Sequence, residues 1–386
     1  MRFKKLHTLT ICIFLAMVMS VLGCMSPAQE QVIKGDSFLK QEKWDEAIAA
    51  YTKAIELDSK LAVTDLCNKI AKAYYKRGLA YDEKGNIDNA CADYTQAISI
   101  DPKLAVPELI TKIAKAFYNK GDYTRAIAEY TKAIEIDPKL STAYLDRGNS
   151  YFNRYNDEKA MDYEKAMDDY NKTIELDPMN GHAYIARGIV YIKKIQYDKA
   201  IAEYTKAIEI DPTLTSAYKG LGNAYSFKGD YTRAIAEYTK AIEVDPKLAA
   251  AYCDRGSAYD DTRNYDRAMV DYNKAIEIDP TFAIAYNNRG LLFRNRKEYS
   301  KAITDLTKAI GLDQKYKDAY YNRGLANHDA GNYDQAILDY TQAIGLDPKF
   351  AMAYFTRGLS YLKQGNMAMC QIDWRMAAEL GYKPQW

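Results

Sequence analysis

The sequence has 386 residues, 48% of them hydrophobic and 27% charged, with 53 basic and 52 acidic side chains. That balance excludes a general nucleic-acid or membrane-surface binder, which needs a basic field. Length alone would allow two or three domains, but strong internal repetition overrides that prior.

Residues 1–23 read as a leader. Arg2, Lys4 and Lys5 precede the mostly apolar run 6–22, which ends in Leu22-Gly23-Cys24. A basic start, a short apolar stretch and a small residue before the break make a secretory signal. Cys24 resembles the cysteine of a bacterial lipobox, which implies lipidation there and residues 24–27 as a tether. An uncleaved membrane anchor is the competing reading, although the run falls short of the ~20 residues needed to span. Met25 follows the cysteine rather than an aspartate. That favours the periplasmic face of the outer membrane if the cell is Gram-negative. Removing the leader makes the chain slightly acidic. Of the remaining cysteines, Cys67, Cys91, Cys253 and Cys370 sit far apart in the pattern and are expected to be reduced.

From residue 28 the chain repeats with a period of 34 residues, starting near 28, 71, 107, 141, 181, 215, 249, 283, 317 and 351. The stretch 215–248 shows the unit most clearly. Tyr218, Leu221, Gly222 and Tyr225 fall on one helical face, Ala234, Tyr238 and Ala241 on another, and Lys228-Gly229-Asp230 turns between them. Asp245-Pro246 then stops the second helix. Three departures stand out. Seven extra residues, 79–85, in the second repeat are two helical turns and keep the apolar face in phase, so one helix of about twenty residues is predicted from Thr64. A six-residue duplication in the fourth repeat (EKAMD at 158–162 and 164–168) rotates a helix by about 600°, which does not restore its face. It is predicted to bulge or to add a turn that packs incompletely. Ser59 and Gln314 replace the closing proline of two repeats.

A 34-residue helix–turn–helix with Gly, Ala, aromatic and Pro at these places resembles the tetratricopeptide repeat. The resemblance implies an all-α, right-handed superhelical solenoid over residues 28–386, with a concave surface lined by the first helices. It implies a scaffold for a protein or peptide partner, with no small-molecule substrate and no nucleic acid. Such arrays occur in envelope lipoproteins that assist assembly or scaffold other enzymes. A structural spacer and a non-catalytic subunit of an envelope glycosyltransferase or hydrolase remain open beside that reading.

No motif for catalysis, metal or cofactor is present: His182 and His328 are four repeats apart, and there is no Gly-rich phosphate loop and no Cys-x-x-Cys. The candidate partner groove follows from the resemblance. Repeats four and five offer Leu145, Phe152, Ile185, Ile189 and Ile192, with packing between first helices as the competing account. Repeat six offers Lys219 and Asn223, followed by Asp254, Asp260 and Asp261. Repeats eight to ten offer Asn287, Asn288, Arg294, Tyr321, Asn322, His328 and Phe355, the asparagines as hydrogen-bond partners for a peptide backbone. Lys219 and Asn223 match two elements of the family's carboxylate clamp. Asp254 and Ile284 stand where Asn and Lys are wanted, so a clamp is not expected.

One covariation is internal to the repeats. Arg77, Arg147, Arg187, Arg255, Arg289, Arg323 and Arg357 each precede the first-helix glycine. The same repeats carry Asp93, Asp169, Asp271, Asp305, Asp339 and Asp373, with Glu203 in the remaining one, just before the second-helix aromatic or its equivalent. Repeats lacking the arginine have Ala50, Glu129 and Glu237. An Arg–carboxylate pair bridging the two helices is predicted, against shared descent of the copies.

Overall fold

The structure, a computed structural model, describes residues 26–61, 64–154 and 159–383; the leader and Cys24 lie outside them. The described residues form twenty α-helices and no strand. Contacts divide the chain into two compact units, one ending at Ala183 and the other beginning at Tyr184.

The first unit contains four hairpins: α1 (Pro27–Lys40) with α2 (Trp44–Leu57), α3 (Thr64–Glu83) with α4 (Ile87–Ile100), α5 (Pro107–Asn119) with α6 (Tyr123–Ile136), and α7 (Ser141–Asn153) with α8 (Lys159–Leu176). In the second, α9 (Gly181–Lys193) pairs with α10 (Tyr197–Ile210), α11 (Thr215–Phe227) with α12 (Tyr231–Val244), and α13 (Ala249–Asp261) with α14 (Tyr265–Ile278). Then α15 (Ala283–Asn295) pairs with α16 (Tyr299–Leu312), α17 (Lys317–Asp329) with α18 (Tyr333–Leu346), and α19 (Ala351–Lys363) with α20 (Met367–Glu379). The twenty-residue α3 is the single long helix predicted from the seven-residue insertion.

The repeated small residues set the helix spacing. Tyr238 lies so close to α11 that a Cβ on Gly222 would meet its Cε1 at 2.5 Å. Ala234 and Ala241 are fully buried beside it. Filling such a contact with a larger side chain would force the helices apart, since packed interiors have no slack.

Aspartate, rather than proline, carries the turn that ends each of the first nine repeats. Asp245 Oδ1 accepts from the Lys247 amide at 2.9 Å, spanning Pro246, which has no donor to give. The same bond forms without proline, from Lys60 to Asp58 (3.0 Å) and from Lys315 to Asp313 (2.8 Å). Ser59 and Gln314 are therefore tolerated. At the inner turn, Gly229 has φ 79°, a left-handed conformation that suits glycine. Glu42, Ile195, Arg263 and Lys297 hold similar values near 60° at four turns between helices.

The six-residue duplication takes the second of its two expected forms, an added helical turn. It lengthens α8 to eighteen residues, and Asp162 within it is fully buried. Arg154, at the end of α7, donates from Nε to Asp162 Oδ2 at 3.0 Å. Phe152 stacks on Tyr163 with ring centroids 5.5 Å apart. An ion pair thus occupies the face that an apolar stripe does not reach.

Candidate partner-binding face and the arginine ladder

Successive first helices touch one another within each unit: α5 with α7 in the first, and α11, α13, α15, α17 and α19 in sequence in the second. Each unit thus has a first-helix face of its own, and the side chains predicted for a groove distribute unevenly over these faces. Leu145 and Phe152, in the first unit, are partly buried.

In the second unit, Ile185 is 8% exposed within a core cluster that includes Tyr204 and Leu221, and Ile192 packs against the same cluster. These two belong to the core, because neighbouring first helices close over them. Ile189 alone of the three is exposed, at 38%. The asparagines also differ from expectation. Asn322 Nδ2 donates to Asn287 Oδ1 (2.9 Å) and Asn287 Nδ2 to Asn288 Oδ1 (3.1 Å). Asn287 and Asn322 are buried. Their polar groups join α15 to α17, so they are not free for a peptide backbone. Asn288 points Nδ2 at Cys253 Sγ, 3.6 Å away. The buried Cys253 thiol is pushed up to about 12 by burial and is inert.

Lys219 Nζ lies 3.6 Å from Asp254 Oδ2, and Asn223 Oδ1 accepts from the Tyr238 hydroxyl at 2.7 Å. The residue that replaces the clamp's asparagine thus offsets the lysine's charge. Burial raises the carboxyls of Asp254, Asp260 and Asp261. Arg294 donates to Asp329 at 2.7 Å. Tyr321 packs on Phe350 (4.9 Å) and Tyr340 (5.7 Å), and Phe355 lies between Trp374 (5.9 Å) and Tyr382 (4.7 Å). These aromatics are half-buried supports rather than open anchors.

The arginines form paired contacts in both units. Arg77 reaches Asp93 through Nε and Nη2, both at 2.7 Å, and Arg147 reaches Asp169 at 2.9 and 2.7 Å. Arg187 holds Glu203 at 2.7 Å, and Arg289 holds Asp305 at 2.7 and 2.9 Å. Arg323 approaches Asp339 to 2.6 Å, and Arg357 approaches Asp373 to 2.7 Å. Two further contacts escaped the sequence reading. Each guanidinium lies over a tyrosine three residues back, as Arg255 does over Tyr252 at 5.6 Å and Arg357 over Tyr354 at 5.5 Å. The remaining nitrogen often reaches back one repeat: Arg255 Nη1 donates to Thr239 (3.0 Å), Arg289 to Asn273 (2.7 Å) and Arg357 to Thr341 (3.0 Å). The signal was the recurrence of Tyr and Thr at fixed distances from each arginine.

Among the described residues no group of three His, Cys, Asp or Glu could hold a metal ion. Cys67, Cys91, Cys253 and Cys370 are unpaired thiols.

Comparison with known proteins agrees with this architecture. The family model described as ETO1 C-terminal domain matches residues 180–356. One described as TPR repeat matches 35–85 and 114–154, and one described as tetratricopeptide repeat matches 71–104. No curated protein matches the sequence. A tetratricopeptide repeat protein from Parabacteroides merdae superposes with a TM-score of 0.56 at 22% identity, covering 66% of this chain and 98% of that one. Cut9–Hcn1 of the APC/C gives 0.55 at 19% identity over 92% and 73%. The human IFIT1 dimer with m7Gppp-AAAA gives 0.54 at 16% over 92% and 90%. At such identities the likeness concerns the fold alone. Hairpins of this spacing, glycine and alanine at the helix contact and these matching family models identify the chain as a tetratricopeptide repeat protein.

Proposed function

We propose that the chain is a scaffold that holds a protein or peptide segment against its first-helix face, tethered to the cell envelope by a lipid on Cys24. Tetratricopeptide repeats are interaction scaffolds, and the observation that carries the reading lies in the second unit. There the second-helix tyrosines Tyr204, Tyr238, Tyr272 and Tyr340 are buried as packing, while Ile189 stays exposed and Asp254 and Arg294 stay half-buried on the first helices. A surface that mixes an exposed branched aliphatic side chain with paired charges suits an extended or helical peptide. No helix among the described residues is long and apolar enough to cross a membrane. The anchor therefore rests on the leader sequence and its cysteine.

The test is affinity capture. The form beginning at Met25 is immobilised, exposed to detergent-solubilised membranes of the source organism, and compared with Ile189→Asp. A discrete protein retained by the first and lost from the variant supports the reading. Equal retention by both moves the binding surface away from this face.

A further inference from the structure

A tyrosine packed between the helices of a repeat must find a partner for its hydroxyl in a buried setting. In the first unit Tyr51 donates to Asp36 Oδ1 (2.8 Å) and Tyr170 to Asn149 Oδ1 (3.1 Å); in the second, Tyr238 donates to Asn223 Oδ1 (2.7 Å). These acceptors occupy one structural position. It lies 15 residues before the tyrosine, or 21 in the repeat with the six-residue duplication. Each is a partly exposed carboxylate or carboxamide on the first-helix face. Where Leu79 takes that position, Tyr94 turns instead to Asp82, 3.3 Å away and one helical turn further on.

The last three repeats place leucine there in succession: Leu291 on α15, Leu325 on α17 and Leu359 on α19, all partly exposed. In two of them the facing residue needs no acceptor from that position. Leu306 faces Leu291 and has no polar group, and Trp374 faces Leu359 and donates from Nε1 to the Phe355 carbonyl at 3.3 Å. Repeat nine keeps its tyrosine. Tyr340 is fully buried, and its hydroxyl has no hydrogen-bond partner among the described residues. His328, one turn beyond Leu325, is engaged through Nδ1 with Ser360 Oγ at 2.8 Å. Thr356 on α19 is near enough to act on the Tyr340 phenol, yet it does not come within hydrogen-bonding geometry of it and donates instead to the Met352 carbonyl at 2.9 Å. Leu325 therefore forgoes a hydrogen bond that an asparagine would supply.

The leucines belong to a larger apolar strip. Two helical turns before Leu291 stands Ile284, 47% exposed, and two turns before Leu359 stands Met352, 45% exposed. The middle helix carries exposed Asp318 at the same level. Lys363, also exposed, ends α19 one turn beyond Leu359. Neighbouring packed helices stand ~8–10 Å apart. Side chains seven residues apart on a helix share a face and lie about 10.5 Å apart. On an extended strand, same-face side chains recur at about 6.6 or 13 Å, which misses that interval.

We propose that Leu291, Leu325 and Leu359 form a docking strip for an amphipathic helix of a partner that carries leucine at every seventh position. The inference rests on the reading of the first-helix face as a peptide-binding surface and names the chemistry it selects. Asp318 at one rim and Lys363 at the other suit a helix with basic side chains on one flank of its apolar stripe and acidic ones on the opposite flank. Each leucine of such a helix meets one leucine of the strip, so the spacing of the repeats becomes the specificity.

The test uses the chain from Met25 and three acetylated, amidated peptides. The first contains three copies of Leu-Ala-Ala-Glu-Lys-Ala-Ala, whose Glu and Lys flank the leucine stripe; the second has Asn for each Leu; the third keeps the composition of the first with its leucines adjacent. Titration is followed by NMR. The first peptide is expected to bind at least tenfold more tightly than either of the others. Leu325→Asn should weaken that binding about fivefold and raise the melting temperature by about 2–4 °C, because the Tyr340 hydroxyl gains an acceptor, as Tyr238 has in Asn223. Leu359→Asn, which faces Trp374, should weaken binding similarly without raising the melting temperature. Equal binding of the first two peptides overturns the strip, and equal binding of the first and third overturns the helical spacing. Binding by none of them overturns the strip as well, while the scaffold reading stands or falls on capture and its loss with Ile189→Asp. A melting temperature unchanged or lowered in Leu325→Asn means that the hydroxyl was already satisfied, and removes the argument that Leu325 is kept for binding.

Discussion

Arg255 on α13 closes on Asp271 of α14 with both Nε and Nη2, each 2.8 Å from a carboxylate oxygen. Asp271 is 3% exposed, and the Arg255 side chain 17%. The pair is thus sunk between the two helices of its repeat, while Tyr252 and Thr239 hold the other edges of the guanidinium. Replacing one partner leaves the other charge with nowhere to go. Asp271→Ala is expected to cost ~3 kcal/mol, toward the lower end for a buried pair because the guanidinium keeps some contact with water. Glu277→Ala, which removes the exposed pair with Lys274, should change stability by at most ~0.5 kcal/mol. Urea denaturation of both variants checks the contrast, and equal midpoints would refute it.

The same arginine shows what a single sequence displays and what it hides. Arg and Asp recur together across copies, so a pairing between them is readable as covariation; the Thr239 contact leaves only a fixed spacing of 16 residues, since it crosses from one repeat to the next. The helix boundaries were legible because Gly, Ala and Asp-Pro recur at fixed spacing and the seven-residue insertion preserves phase. The groove residues were harder. Ile185 and Ile189 occupy equivalent-looking apolar positions on one helix, yet one is core and the other exposed. Which is covered depends on how far the next first helix leans over, a tertiary quantity that periodicity does not encode. Asn287 and Asn322 pair for the same reason, one repeat apart on touching helices.

Backbone strain gives a second prediction. Ile195 sits at the turn between α9 and α10 with φ 59°, a conformation that β-branched residues avoid, and its side chain is 73% exposed. Ile195→Gly therefore loses little packing and relieves left-handed strain. Allowing for the extra freedom glycine gains when unfolded, a net gain of ~1 kcal/mol is expected. The control is Gly229→Ile at the corresponding turn, which should lose about as much. A lower melting temperature for Ile195→Gly would show that the turn is not strained.

The proposed lipid anchor is tested at Cys24. Cys24→Ala should abolish incorporation of labelled palmitate and release the chain from the membrane fraction, with no change in the helical circular-dichroism signal, because residue 24 lies outside every described helix, the earliest of which begins at Pro27. Labelling that persists at wild-type level in the variant would place the lipid elsewhere or remove it from the account.

His328 supplies the pH dependence. Burial on α17 pushes its imidazole below the ordinary histidine value; Asp329 opposes the shift, and Lys363 and Arg294 reinforce it. Ser360 and the edge of Tyr333 complete its surroundings. The sign follows from linkage. With the folded pKa below the unfolded value of about 6.5, the unfolded chain binds the proton more readily. The contribution to stability is therefore complete above pH ~6.5 and is lost as pH falls through the lower, folded value. His328→Gln keeps a hydrogen-bonding group toward Ser360 but cannot titrate. Thermal melts at pH 7.5 and 5.5 should show a larger fall in melting temperature for the wild type than for the variant, whose carboxylates titrate as before. Because those carboxylates are common to both proteins, the difference between the two falls isolates the imidazole. Identical falls would mean that His328 charges as easily in the folded chain as in the unfolded one, and that its burial costs the proton nothing.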